Sequence, residues 1–311
     1  MPKYTSTLII SLFCVTAFAQ NNSYIKKGAY TAAPTITQPA VEKQNNKFLY
    51  GPIPYRTLQE TIGETYLVLP MLDVFIEDGY RYLFAKNSNK NVSTKEGEGK
   101  FLKLISVNDK EGEFTDSAGN VYVSKIDDDN TFWNLAPVTD FENTRKLLLN
   151  KQLWLKTNQY TTGDPYNRKS LKKISNVRFT HVTVIDVLAS FSNNAPIFLV
   201  FKTDKGDIGF ENANVSGTNT DLDPEYWFNE KFFIENPQIT YKLTPKLWEA
   251  VKAHDLQIGM PAIAAELIYG RPTKRNKTKT ATTVTEQWVY GDGTDTWYVY
   301  ITNGKVSSVS F

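Results

Sequence analysis

The 311-residue chain is long enough for two or three domains. Its 41% apolar content, with 17 Tyr and 18 Phe, suits β-rich cores and interfaces. Its 35 basic residues nearly balance 33 acidic ones, which removes the electrostatic case for a nucleic-acid or anionic-membrane partner.

Residues 1–19 read as a secretory signal peptide. Lys3 supplies the positive start, residues 8–15 (LIISLFCV) the apolar stretch, and Ala17-Phe18-Ala19 the small-x-small site, with cleavage after Ala19. The apolar run is shorter than the roughly 20 residues a spanning helix needs. Cys14 is the only cysteine, and Ser11-Leu12-Phe13 before it lacks the small residues of a lipoprotein signal. The mature chain then has neither disulfide nor thiol chemistry. It has no transmembrane segment, and its expected location is the periplasm or cell envelope.

Residues 20–47 are polar, carry Pro34 and Pro39, and show no sustained periodicity, so they read as a flexible linker. Residues 48–143 read as a small β-barrel-like unit. GETYLVLP (63–70), GYRYLFA (79–85), GKFLKLISV (99–107) and NVYVSKI (120–126) are strand-like, and Asp116 to Asn120 is a hairpin connection. Residues 144–238 repeat that order. Residues 149–156 echo 62–69, VRFTHVTVIDV (177–187) echoes GKFLKLISV, and 198–214 echo 114–130 with Gly206 standing for Gly119. About five short strands per unit fit a small half-open barrel. FENTRKLLLN (141–150) reads as a short joining helix.

Residues 239–311 read as two helices and a three-stranded meander. Thr244-Pro245 starts the first helix, with Thr as N-cap and Pro at the first helical position. The second runs from about Pro261 to Tyr269, stopped by Gly270 and Pro272. KRNKTKTATT (274–283) reads as a basic loop. Strands follow at 284–290, 296–302 and 305–311, and Asn303-Gly304 signals a type I′ hairpin. That turn places Ile301 opposite Val306 and Tyr298 opposite Val309. Alternation then predicts an aliphatic face of Val289, Trp297, Val299, Ile301 and Val306, and an aromatic face of Trp288, Tyr290, Tyr298, Tyr300 and Phe311. The aliphatic face is expected to take the helices. The aromatic face is a candidate partner surface, covered either by another protein or by the preceding unit of the same chain. Lys274, Arg275, Lys277 and Lys279 form a candidate anion-binding loop.

Ile258-Gly259-Met260, Gly270-Arg271-Pro272, Gln287-Trp288-Val289-Tyr290 and Asn303-Gly304-Lys305-Val306, in this order, resemble the SmpA/OmlA (BamE-like) family of envelope domains over about the last 70 residues. Pro261 departs from the family's hydroxyl N-cap. The resemblance implies an ααβββ fold and a non-catalytic protein that binds other proteins, outer-membrane assembly components among them. The two preceding units more weakly resemble bacterial Src-homology-type small barrels. The layout is similar to exported proteins of Bacteroidetes-type bacteria.

The fold class expected is therefore β-rich α+β: two small half-open barrel units and a C-terminal BamE-like domain. No catalytic constellation stands out. His181 and His254 lack a second ligand at zinc spacing, and no G-x-S-x-G, P-loop or G-x-G-x-x-G is present. Asp127-Asp128-Asp129-Asn130 and Asp221-Leu222-Asp223 read as solvated turns rather than calcium loops. No cofactor or metal is expected. The leading function is an exported, non-enzymatic protein-interaction or envelope-assembly accessory role, with an envelope protein as partner. The alternative is a binder of peptidoglycan or another glycan, using Tyr66, Tyr80, Tyr82, Trp133, Trp154, Tyr226 and Trp227. A hydrolase is the third reading.

Overall fold

A computed structural model describes residues 48–72, 83–86, 90–92, 94–126, 131–218, 224–291 and 293–311. The leader, the linker, both acidic runs (127–130 and 221–223), Tyr80 and Tyr82 lie outside the described residues.

The chain is β-rich with few helices. The first sheet contains β1 (Thr65–Val68), β2 (Leu83–Ala85), β3 (Lys90–Val92), β4 (Phe101–Val107), β5 (Glu111–Thr115), β6 (Val121–Lys125) and β7 (Leu135–Pro137). Helix α1 (Val138–Leu148) follows. The second sheet contains β8 (Gln152–Leu155), β9 (Gln159–Thr162), β10 (Lys172–Ser175), β11 (His181–Ala189), β12 (Ile197–Thr203), β13 (Ile208–Ala213) and β14 (Phe232–Phe233). The spatial orders are β3-β2-β6-β5-β4-β1-β7 and β10-β9-β13-β12-β11-β8-β14. Adding seven to each strand of the first gives the second. The internal repeat is thus present as topology, and each sheet curls into a half barrel.

The correspondence reaches single residues. The β4–β5 ladder slips between Leu104 and Ser106, and the β11–β12 ladder between Val184 and Asp186. A bulge bends a strand and re-aims the residue after it. In β11 that residue is Asp186, whose Oδ1 accepts from Arg145 Nη2 of α1 at 3.0 Å. Each sheet has seven strands where the sequence announced about five. The strands it missed have two to four residues, too few to show a period of two.

Helix α1 lies between the two sheets. Its Phe141 and Leu148 are buried in one apolar cluster with Leu67 and Leu69 of the first half and Leu153, Val184, Leu199 and Phe201 of the second. A separate cluster of Tyr66, Leu102, Leu104, Phe114 and Phe132 fills the first half barrel. Glycines admit rings in both half barrels. A Cβ on Gly112 would overlap the Phe132 ring, and one on Gly209 would overlap the Tyr160 ring with Phe201 close behind. Gly209→Ala is expected to cost about 1–3 kcal/mol by overpacking, read as a lower urea midpoint at unchanged m-value.

The C-terminal region begins with α2 (Pro245–Lys252) and α3 (Ala262–Tyr269). Thr244 Oγ1 accepts from the Leu247 N–H as an N-cap, and Gly270 ends α3 at φ 85°. The sheet that follows has four strands, in chain order: β15 (Lys274–Lys279), β16 (Val284–Tyr290), β17 (Trp297–Thr302) and β18 (Lys305–Ser310). The expected basic loop is therefore a strand, and the meander has one strand more than the sequence reading gave. An edge strand needs no buried face, so KRNKTK can form one without apolar alternation.

Candidate functional site

The C-terminal sheet offers two faces, and cross-strand pairing decides which side chains share each. Trp288 pairs with Val299, and Tyr290 with Trp297. Directly opposed residues point the same way. Trp288 and Tyr290 therefore join Val299 and Ile301 on one face, and all four are buried in a cluster with Ala264, Leu267 and Ile268 of α3. Val289 instead pairs with Tyr298 and lies on the other face. The expected separation into aliphatic and aromatic faces is corrected by this register. Alternation fixes the faces within each strand, but which face of β16 joins which face of β17 depends on a pairing the sequence does not fix.

The Asn303-Gly304 turn forms with φ of 48° and 76°, as a type I′ turn requires, and Ile301 pairs with Val306. A bulge between Tyr300 and Ile301 then shifts the ladder. Val309 lies opposite Val299 rather than Tyr298, and Tyr298 lies opposite Ser310.

Five residues of the expected partner surface thus separate into three places. Trp288 and Tyr290 are under the helices. Phe311 is 89% exposed and stacks on Trp297 at 5.7 Å. Tyr298 and Tyr300 lie on the outer face with ring centroids 6.3 Å apart, each half-buried. Gln287 beside them donates to the Tyr300 hydroxyl at 3.2 Å, and Asn276 donates to Gln287 at 3.0 Å. Neither tyrosine belongs to an apolar cluster of the described residues. Among the described residues, no hydrogen bond, ion pair or ring contact links the preceding sheet to Tyr298 or Tyr300. That sheet meets the helices instead: Phe179 lies 4.8 Å from Trp248 of α2, and Arg178 Nη1 donates to the carbonyls of Leu267 and Ile268 at the C-terminal end of α3. A guanidinium at that end satisfies open carbonyls and faces the negative end of the helix dipole.

The Tyr290 hydroxyl is buried without a hydrogen-bond partner among the described residues, and burial raises its pKa. An unpaired buried hydroxyl costs stability. Tyr290→Phe is expected to hold or raise stability, by up to about 1 kcal/mol, measured by thermal unfolding. A loss instead would mean the hydroxyl has a partner.

The four basic residues of the expected anion-binding loop are all exposed along β15. Two are engaged on the helix side. Arg275 lies 4.3 Å over the Trp288 ring and pairs with Glu266 at 2.6 Å, and Lys277 pairs with Glu286 at 3.0 Å. Bonds from Trp288 and Lys277 lower the pKa of Glu286. Lys274 and Lys279 make no ion pair among the described residues.

Two concave sites lie elsewhere. An open groove of about 580 Å³ is lined by Asn150, Gln152, Trp154, Asn236, Ile239 and Thr240. A cleft of about 410 Å³ between the second sheet and α3 gathers Lys156, Arg178, Glu211, Glu230, Lys231 and Glu266. Four of its charges pair with one another. Lys156 pairs with Glu230 at 2.7 Å, and Lys231 with Glu211 at 3.4 Å. Burial raises the pKa of Glu211 against the opposing pull of Lys231. His181 Nδ1 lies 2.7 Å from Asp204, and His254 sits at φ 57° just past α2.

Of the aromatic residues considered as sugar platforms, Tyr66 is fully buried and Trp227 nearly so. Trp154 lines the open groove, and Trp133 is 40% exposed. The groove itself, formed where β8 meets the turn after β14, carried no sequence signal beyond its tryptophan.

No family model matches this sequence, and no curated protein matches it. Among solved structures, NlpC2 from Trichomonas vaginalis is similar at 9% identity, covering 80% of this chain and 97% of that one, with a TM-score of 0.16. At that score the likeness carries no argument about fold or function.

Proposed function

We propose that this protein is an exported, non-catalytic protein-interaction module, acting in envelope assembly or as an accessory subunit. In this reading residues 48–143 and 144–238 are two small barrel units that form a platform. Residues 239–311 are a BamE-like domain enlarged by one edge strand, and they carry the contact surface. The single observation behind it is the outer face of the C-terminal sheet, where Tyr298 and Tyr300 stand side by side, half-buried and outside the apolar clusters of the described residues. Paired tyrosines of this kind supply large contact area at low entropic cost and are enriched at interfaces. Two helices on one face of a small sheet leave the other for a partner. No described helix is long and apolar enough to cross a membrane.

The test is affinity capture from solubilised envelope with the chain from Gln20 onward. One near-stoichiometric envelope protein should be retained, and lost with Tyr298→Ala/Tyr300→Ala. Retention that ignores both substitutions would remove the outer face from the account.

The second reading, a glycan binder, draws on the Trp154 groove, which combines an indole with amide side chains. Cosedimentation with peptidoglycan that depends on Trp154 would support it.

A further inference from the structure

The geometry points to the outer edge of β15 as a site of strand addition, where an extended acidic segment of the partner joins the C-terminal sheet. This inference rests on the protein-interaction reading and names the partner's chemistry.

The two edges of the sheet differ. The start of the edge at β18 is occupied by the chain's own segment before α3. Gly259 donates to the Val306 carbonyl, Val306 donates to Met260, and Ala262 donates to Gly304, each at 2.8 Å. Pro261 and Lys305 form an antiparallel bridge there. At β15, no described strand pairs on the outer side, and all six residues are exposed.

Register gives the orientation of the backbone groups. Thr280 donates to the Thr283 carbonyl at 2.8 Å, closing the β15–β16 hairpin. Bonded pairs recur every second residue in an antiparallel ladder. Thr278, Asn276 and Lys274 therefore direct their N–H and C=O groups toward Thr285, Gln287 and Val289. The opposite ladder agrees: Asn303 donates to Val284, so even-numbered residues of β16 serve β17 and odd-numbered ones serve β15. The backbone groups of Arg275, Lys277 and Lys279 are left facing outward. Three donors and three acceptors in line form a template for one more strand.

Charge selects what joins. β15 carries Lys274, Arg275, Lys277 and Lys279 and no acidic residue. Lysines along an edge repel a second copy of the same edge, which is how such strands avoid self-association. The helix-side row of Arg275, Lys277 and Lys279 attracts a strand with a carboxylate at every second position, and Lys279 is not committed to another ion pair of the described residues, while Lys274 stands on the outer face. On the outer face, the next side chains inward from this edge are Gln287 and Val289, followed by Tyr300 and Tyr298. An added strand and the tyrosine face would therefore form one continuous contact.

The test uses the chain from Gln20 onward and a synthetic peptide, acetyl-TEVEYEV-amide, with acetyl-TKVKYKV-amide as control. Binding of the acidic peptide should slow hydrogen exchange at the Arg275, Lys277 and Lys279 amides by more than about tenfold. The Asn276 and Thr278 amides, already bonded to β16, should change little. Lys277→Pro removes one outward N–H without touching the β15–β16 backbone bonds, it loses the pair with Glu286 just as Lys277→Gln does, and proline is tolerated on an edge strand. It should weaken the peptide at least about tenfold, whereas Lys277→Gln should cost about threefold or less. Unchanged exchange at those three amides, equal binding of the two peptides, or Lys277→Pro behaving as Lys277→Gln would each overturn the inference. The exchange measurement needs no variant, so it stands even if the proline variant fails to fold. Capture of an envelope protein that depends on Tyr298 and Tyr300 without slowed edge amides would also overturn it, while leaving the outer-face reading in place.

Discussion

Replacing Tyr298 and Tyr300 together by alanine is expected to weaken partner binding at least about 100-fold while leaving the protein folded. The reasoning starts from where each ring sits. Both side chains are half-buried on the outer face and lean on each other at 6.3 Å. They add nothing to the cluster of Trp288, Tyr290, Val299 and Ile301 that holds the sheet to α3. The cost to stability should therefore be on the order of 1 kcal/mol, mostly lost pairing with Gln287 and between the rings. Two central aromatic anchors are each worth about 2 kcal/mol or more in a desolvated interface. Trp288→Ala tests the converse. It empties a buried site, is expected to cost about 3–5 kcal/mol, and would weaken binding only through unfolding.

The second large effect is on pH dependence and lies at α1. Asp140 is 2% exposed. Its Oδ1 accepts from Arg56 Nη2 at 2.9 Å and its Oδ2 from the Ser216 hydroxyl at 2.5 Å. Arg56 also pairs with Glu64. Burial pushes the Asp140 carboxyl up to about 6, against the lowering pull of Ser216 and Arg56. The native state then holds this proton more tightly than the unfolded chain. The contribution is greatest below the unfolded value near 4 and is lost as pH rises through 6. The shift corresponds to about 3 kcal/mol. The stability difference between the protein and Asp140→Asn, from urea titrations at pH 4 to 7, should fall by that order across the window. A difference that grows with pH would mean that the bond to Arg56 outweighs burial.

What was legible in the sequence follows from how local each signal is. The Asn303-Gly304 turn, the Thr244-Pro245 helix start and the Gly270 stop each depend on the conformational habits of one or two residues, and the structure carries all three. The repeat was legible because β8, β11, β12 and β13 follow β1, β4, β5 and β6 in the same order with similar apolar patterns. The edge strand Lys274–Lys279 was not, since its pairing is fixed by the backbone of β16 rather than by burial. Nor were the faces of the terminal sheet. Alternation within each strand held, but the register between strands and the bulge at Tyr300 decide which residues meet. Asp140 lay in the sequence as an ordinary acid near a helix start. The groups that bond its carboxylate, Arg56 and Ser216, lie 84 and 76 residues away.

The most direct measurement is site-specific photocrosslinking in living source cells, with benzoyl-phenylalanine placed at position 300 and, as a control, at position 154. If the outer face of the C-terminal sheet is the contact surface, position 300 should give one dominant adduct with an envelope protein, and position 154 should not give it. Adducts only within the same chain at 300, or the same envelope protein captured only from 154, would contradict that assignment.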